Sequence, residues 1–107
     1  MNEIVVSEIQ IIPVKPKNGL VAFASCVINN QLYLGNIAIY SSPSSLDGFR
    51  LVYPSRVLNN GKQISITHPI NRETGLVIKR QIVEQYLKLM ENLTKGEVKH
   101  EQEQRYT

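Results

Sequence analysis

Only one stretch of this chain repeats with a helical period, and it comes late. From Ile78 onward the apolar residues Ile82, Val83, Tyr86, Leu89, Met90 and Leu93 recur mostly three or four positions apart, which gathers them on one side of an α-helix. Upstream of it the chain reads as strands and turns. A single amphipathic helix following a run of strands restricts the chain to an α+β layout, with the helix segregated at the end of an antiparallel meander.

The entry to that helix is well specified. Gln63-Ile64-Ser65-Ile66-Thr67 alternates as a half-buried strand does. His68-Pro69 ends it, because Pro69 has no N–H to give to a ladder and pushes His68 toward extended geometry. Asn71 suits the N-cap, where its side-chain oxygen can accept from the free amides of the first turn. Glu73 sits where the helix dipole favours an anion. Gly75 costs about 1 kcal/mol in a helix interior, so an irregular start before Leu76 is predicted.

Ile4 to Val14 reads as the first strand, with Val5, Ile9 and Ile11 on one face and Pro13 and Pro16 stopping the pairing. Leu20 to Ile28 is apolar on both faces, as a central strand covered on both sides would be. Asn29-Asn30 is a tight turn. In the third strand, Gln31 to Tyr40, Leu32 and Leu34 have the opposite parity to Ile37 and Ile39. An extra residue at Gly35-Asn36 would restore the inward face, which predicts a β-bulge. Ser41 to Gly48 is a surface loop, Arg50 to Tyr53 a fourth strand ended by Pro54, and Asn59-Asn60-Gly61 a turn into the fifth strand at Gln63. The expectation is a five-stranded antiparallel meander followed by one C-terminal helix. One helix cannot cover both faces of such a sheet, so either the sheet curls strongly or a second subunit covers the rest.

A chain of 107 residues with no Trp and two Phe is one domain whose core must be built from Ile, Val and Leu. The domain is placed at residues 1–93, with 94–107 a polar tail having almost nothing to bury. There is neither an apolar run of membrane-span length nor a leader-like N-terminus. The lone Cys26 cannot form an internal disulfide and reads as a small buried hydrophobe. A cytoplasmic protein fits all of this. No phosphate-cradling Gly-rich loop, nucleophile elbow, carboxylate pair or metal-ligand spacing appears, so neither catalysis nor a cofactor, metal or small-molecule substrate is expected.

The net charge of +3 decides little, but its distribution is uneven. Arg50, Arg56, Lys62, Arg72, Lys79 and Arg80 fall within one stretch that contains a single acid, Glu73. A polyanion would feel that local excess; an ordinary solvated surface is the competing explanation. Tyr33, Tyr40 and Tyr53 lie on strands, where base stacking and cross-strand packing are both open, the latter being commoner.

Several of these segments resemble the stage V sporulation protein G (SpoVG) family of small bacterial proteins. Ile66-Thr67-His68-Pro69-Ile70-Asn71 resembles the family's His-Pro-Ile-Asn core before its helix, and Tyr53-Pro54-Ser55-Arg56 its apolar-Pro-Ser-basic strand end. Ile82-Val83-Glu84-Gln85-Tyr86 and Ala22-Phe23-Ala24-Ser25 are similar to its helix and second strand, collinear from about Glu8 to Met90. The resemblance implies a swapped or strand-paired homodimer that binds DNA, and RNA as a further target, as a regulator linked to septation or sporulation. It places nucleic-acid contacts at Arg56 and Arg72, with Lys79 and Arg80 supplying charge one turn later. Val57 and Gly75 stand where the family often carries further basic residues. His68, Pro69 and Asn71 are read as architectural, His68 by hydrogen bonding at the corner. The alternative is a protein–protein module in cell division that acts without nucleic acid.

Overall fold

A computed structural model describes residues 3–96. Its elements in chain order are β1 (Val6–Lys17), β2 (Leu20–Ile28), β3 (Leu32–Ser41), β4 (Phe49–Val52), β5 (Ser55–Val57), β6 (Gln63–Ser65) and α1 (Arg72–Gly96). Strands β1 to β4 form one antiparallel sheet in sequence order, while β5 and β6 form a separate two-stranded sheet. The α+β layout and the closing helix hold. The five-stranded meander does not: the strand expected at Gln63 never joins the main sheet. Pro54 cannot continue the β4 ladder, and Ser55–Val57, read from sequence as a strand terminus, instead pairs with Gln63–Ser65. The Asn59-Asn60-Gly61 turn closes this hairpin through a 2.7 Å bond from the Leu58 amide to the Lys62 carbonyl.

The main sheet has four register shifts, two of them at Pro13/Lys17 and Leu20/Ala22; the other two set which side chains face the core. At the predicted one, Ala24 pairs with Ile37 and Cys26 with Leu34, so β3 spends one residue more than β2. Asn36 absorbs the irregularity at φ 55°, a conformation Asn tolerates better than most side chains. Leu34, Ile37 and Ile39 consequently all point inward and are buried. The second bulge was not expected. Between Ser7 and Gln10 the register of β1 slips by one residue, with Glu8 at φ 47°. It reverses the expected parity there, so Val6 packs on the core while Val5 is exposed. Strand β1 also runs through Pro13, which pairs with Ala22. It can do so because β1 is an edge strand, where a missing donor need not face a neighbour.

Helix α1 lies on one face of the sheet. Ile78, Ile82 and Tyr86 meet Ala22, Ala24, Cys26, Ile37 and Ile39 in one buried cluster, and the small side chains of β2 leave room for the helix. Phe49 meets Tyr86 edge-on, with centroids 5.4 Å apart. The helix is regular from Arg72, contrary to the irregular start that Gly75 suggested, because Asn71 caps it and Pro69 packs against Gly75. A Cβ at Gly75 would meet Pro69 Cγ at 3.7 Å, an ordinary contact. The opposite face of β2 is not covered by the described residues: Phe23 is 37 % exposed. Residues 97–107, where most of the polar tail was expected, lie outside the described residues.

Candidate nucleic-acid interface

The strand-to-helix corner is built as its sequence demands. The Thr74 amide donates to Asn71 Oδ1 at 2.8 Å, and the Gly75 amide to the Asn71 carbonyl at 3.2 Å. An N-cap of this kind is worth about 1 kcal/mol. The Ile66 amide donates to the Pro54 carbonyl at 3.0 Å, tying the hairpin's end to its start. His68 does not take the expected part in this bonding. Its ring is exposed and lines, with Pro69 and Asn71, a cleft of about 990 Å³ between the corner and the start of β1. Among the described residues the imidazole makes no hydrogen bond.

The four predicted cationic contacts are not equivalent. Arg72 and Lys79 line one shallow depression of about 290 Å³ at the β4 edge, and Arg50 joins them there from β4. Arg80 is exposed on the next position of α1 and lines, with Lys79, a neighbouring groove. Arg56 stands on β5, exposed, and lines neither. Arg50, not among the four expected contacts, lines the same depression. It lay inside the basic stretch, but only the pairing of β4 beside the helix start brings it to Arg72.

Lys79 is the member with a protein partner. Its Nζ lies 3.2 Å from Asp47 Oδ1, on a loop that folds back on itself through a 2.7 Å bond from the Ser42 amide to the Gly48 carbonyl. The Phe49 amide also donates to Asp47, at 3.2 Å. Partial burial opposes the Asp47 charge, yet the Phe49 amide and the Lys79 ammonium outweigh it and hold the carboxyl below its ordinary value. A phosphate at Lys79 would therefore have to displace a carboxylate, although an exposed pair of this kind is worth under about 1 kcal/mol. Arg72, Arg80 and Arg56 carry no such ion pair among the described residues.

The tyrosines separate cleanly. Tyr53 packs against the core with its hydroxyl buried and, among the described residues, unpartnered; burial, reinforced by the nearby Cys26, pushes its phenol up to about 12. It is a packing residue. Tyr33 is 68 % exposed, and the Arg50 guanidinium sits 4.8 Å from the centre of the Tyr40 ring. Cys26 is buried, which raises its thiol pKa. Among the described residues no three His, Cys, Asp or Glu side chains group as metal ligands, and no helix is long and apolar enough to cross a membrane.

The SpoVG family model matches residues 4–88. The chain belongs to the SpoVG family. Two relatives agree. A protein of Treponema denticola is 30 % identical over 83 residues, spanning 78 % of this chain and 86 % of its own. One of Agathobacter rectalis is 28 % identical over 88 residues, spanning 82 % and 98 %. Both are provisionally named septation protein SpoVG. The family match includes every cation discussed above, from Arg50 to Arg80, and the whole His-Pro-Ile-Asn corner.

Proposed function

We propose that this SpoVG-family chain is a cytoplasmic nucleic-acid-binding regulator that acts as a homodimer. The observation carrying the reading is that Arg72 and Lys79 line one depression at the capped start of α1, bounded by β4 at Arg50. Arg80 extends the charge along the helix, and the first-turn amides not taken by Asn71 add a further anion donor. Such contacts bind backbone phosphate and position the protein without reading sequence. Both DNA and RNA present that phosphate. Arg56, on the hairpin, would reach a separate phosphate.

Dimerisation is supported by the hairpin. A two-stranded sheet alone is marginal in water, yet β5 and β6 leave Val57, Ile64 and Ile66 exposed, and Ile70 beyond them is 89 % exposed. A second copy seated on these residues would bury them, and light scattering is expected to give twice the chain mass of 12.1 kDa.

The deciding experiment is an anisotropy titration with labelled DNA and RNA against salt. Three neutralised phosphates predict a log–log slope near −2.7, or about a fortyfold loss of affinity between about 50 and about 200 mM salt. A slope near zero, or no binding at low salt, overturns the reading. One feature favours the second reading, a protein–protein module: Leu76 and Leu87 stand half-exposed beside a groove of about 570 Å³ under the fully exposed Leu46. A defined partner held after nuclease treatment would support it.

A further inference from the structure

The sheet face turned away from α1 has an order of its own and shares only Arg50 with the helix-start site. Two cross-strand rows run over it. In one, Ile12, Phe23, Ala38 and Val52 are successive register partners across all four strands; in the next, Lys17, Leu20, Tyr40 and Arg50 are. Tyr33, paired with Val27, lies farther along the same face. Phe23 and Tyr40 are diagonal neighbours, roughly 7–8 Å apart. Val27 is four residues from Phe23, which puts Tyr33 about 13 Å farther along the sheet.

Each aromatic is held in a definite way. A Cβ at Gly35 would lie 2.9 Å from Tyr33 Cε2, so the glycine lets the tyrosine ring lie against the sheet with its other face to solvent. Tyr40 is stacked by Arg50, making a cationic plane that can itself stack on a base. Phe23 lies between them in register and is partly exposed. Cations stand at both edges of the second row, Lys17 on β1 and Arg50 on β4.

We propose that this face is a stacking platform for single-stranded nucleic acid, with bases on Phe23, Tyr33 and the Tyr40–Arg50 pair and the phosphate chain running past Lys17 and Arg50. The proposal rests on the nucleic-acid reading and deepens it on another face, which meets the helix-start site only at Arg50. Bases accept stacking from any aromatic face, and cations along the track supply the phosphate term. Charge complementarity selects this occupant over a second copy of the chain. Sheet-on-sheet packing would bury the Arg50 guanidinium and Lys17, together with Ser25 and Gln10, which are register partners in the middle of the face. Burying such groups without partners is costly.

The test uses the full chain, a labelled short oligothymidylate or oligouridylate, and a labelled duplex. The single-site variants are Tyr33→Leu and Phe23→Leu, which keep apolar bulk and remove the ring; circular dichroism checks their fold. Each is expected to weaken single-strand binding at least about fivefold, the low end for loss of one base stack, with duplex affinity unchanged. Tyrosine emission, unobscured because the chain has no Trp, should be quenched by the single strand, and less so in Tyr33→Leu. Duplex binding without single-strand binding overturns the platform and leaves the helix-start reading standing. Single-strand binding that the variants retain overturns it too. Failure to bind either nucleic acid removes both readings. Variants that fall from dimer to monomer assign the face to a second copy and overturn the platform.

Discussion

Replacing Ile82 with alanine is expected to lower the unfolding free energy by about 3 kcal/mol or more. Ile82 has no exposed surface and lies in the cluster that joins α1 to β2 and β3, with Ile37, Ile39 and Cys26 as the other largest fully buried side chains among the described residues. Losing buried aliphatic carbon costs the transfer term plus a cavity term, and Ile→Ala falls at about 2–5 kcal/mol. The upper part of that range applies because the surrounding positions cannot close the void. Ala22 and Ala24 are too short to move in, and the β2 ladder between two hydrogen-bonded neighbours holds their backbone. A domain of this size has about 5–15 kcal/mol in total, so the variant would be folded only marginally. Urea unfolding measures it: at about 1–3 kcal/mol per molar, the midpoint should fall by about 1 M or more. A shift within error of zero would mean that α1 does not seal this core.

The double variant Arg72→Ala, Arg80→Ala is expected to weaken nucleic-acid binding ten- to a hundredfold, by similar factors for all sequences. Each exposed arginine that meets a phosphate adds about 0.9 to the salt slope, so losing both should flatten it by about two. Arg72 and Arg80 are chosen because both are exposed and carry no ion pair among the described residues, whereas Lys79 is engaged by Asp47. Both sit on the solvent side of α1, so the melting temperature should barely move. Unchanged affinity and slope would remove these residues from the interface. A loss confined to particular sequences would instead mean that they read bases.

The sequence carried most of the local structure because each signal was local. Asn71 caps from three residues away, the Gly35-Asn36 parity fault could be resolved only by an extra residue, and the 3.6-residue stripe had one buried side to offer. The Glu8 bulge left no such trace, since Val5 and Val6 are both apolar and either parity looks plausible on paper.

What the sequence determined alone was the class of fold, the turns, the capped helix and the presence of a basic stretch. Tertiary structure decided which of those parts meet. Ser55–Val57 could pair with β6 or merely end β4, and only long-range closure around Asn59-Asn60-Gly61 made it a hairpin. Asp47 and Lys79 lie thirty-two positions apart, and Arg50 and Arg72 twenty-two, so their meeting depends on where β4 docks against α1. Periodicity fixes the face a side chain points to within its own element; the neighbour on that face is set by packing between elements, and that is where the two cationic surfaces are assembled.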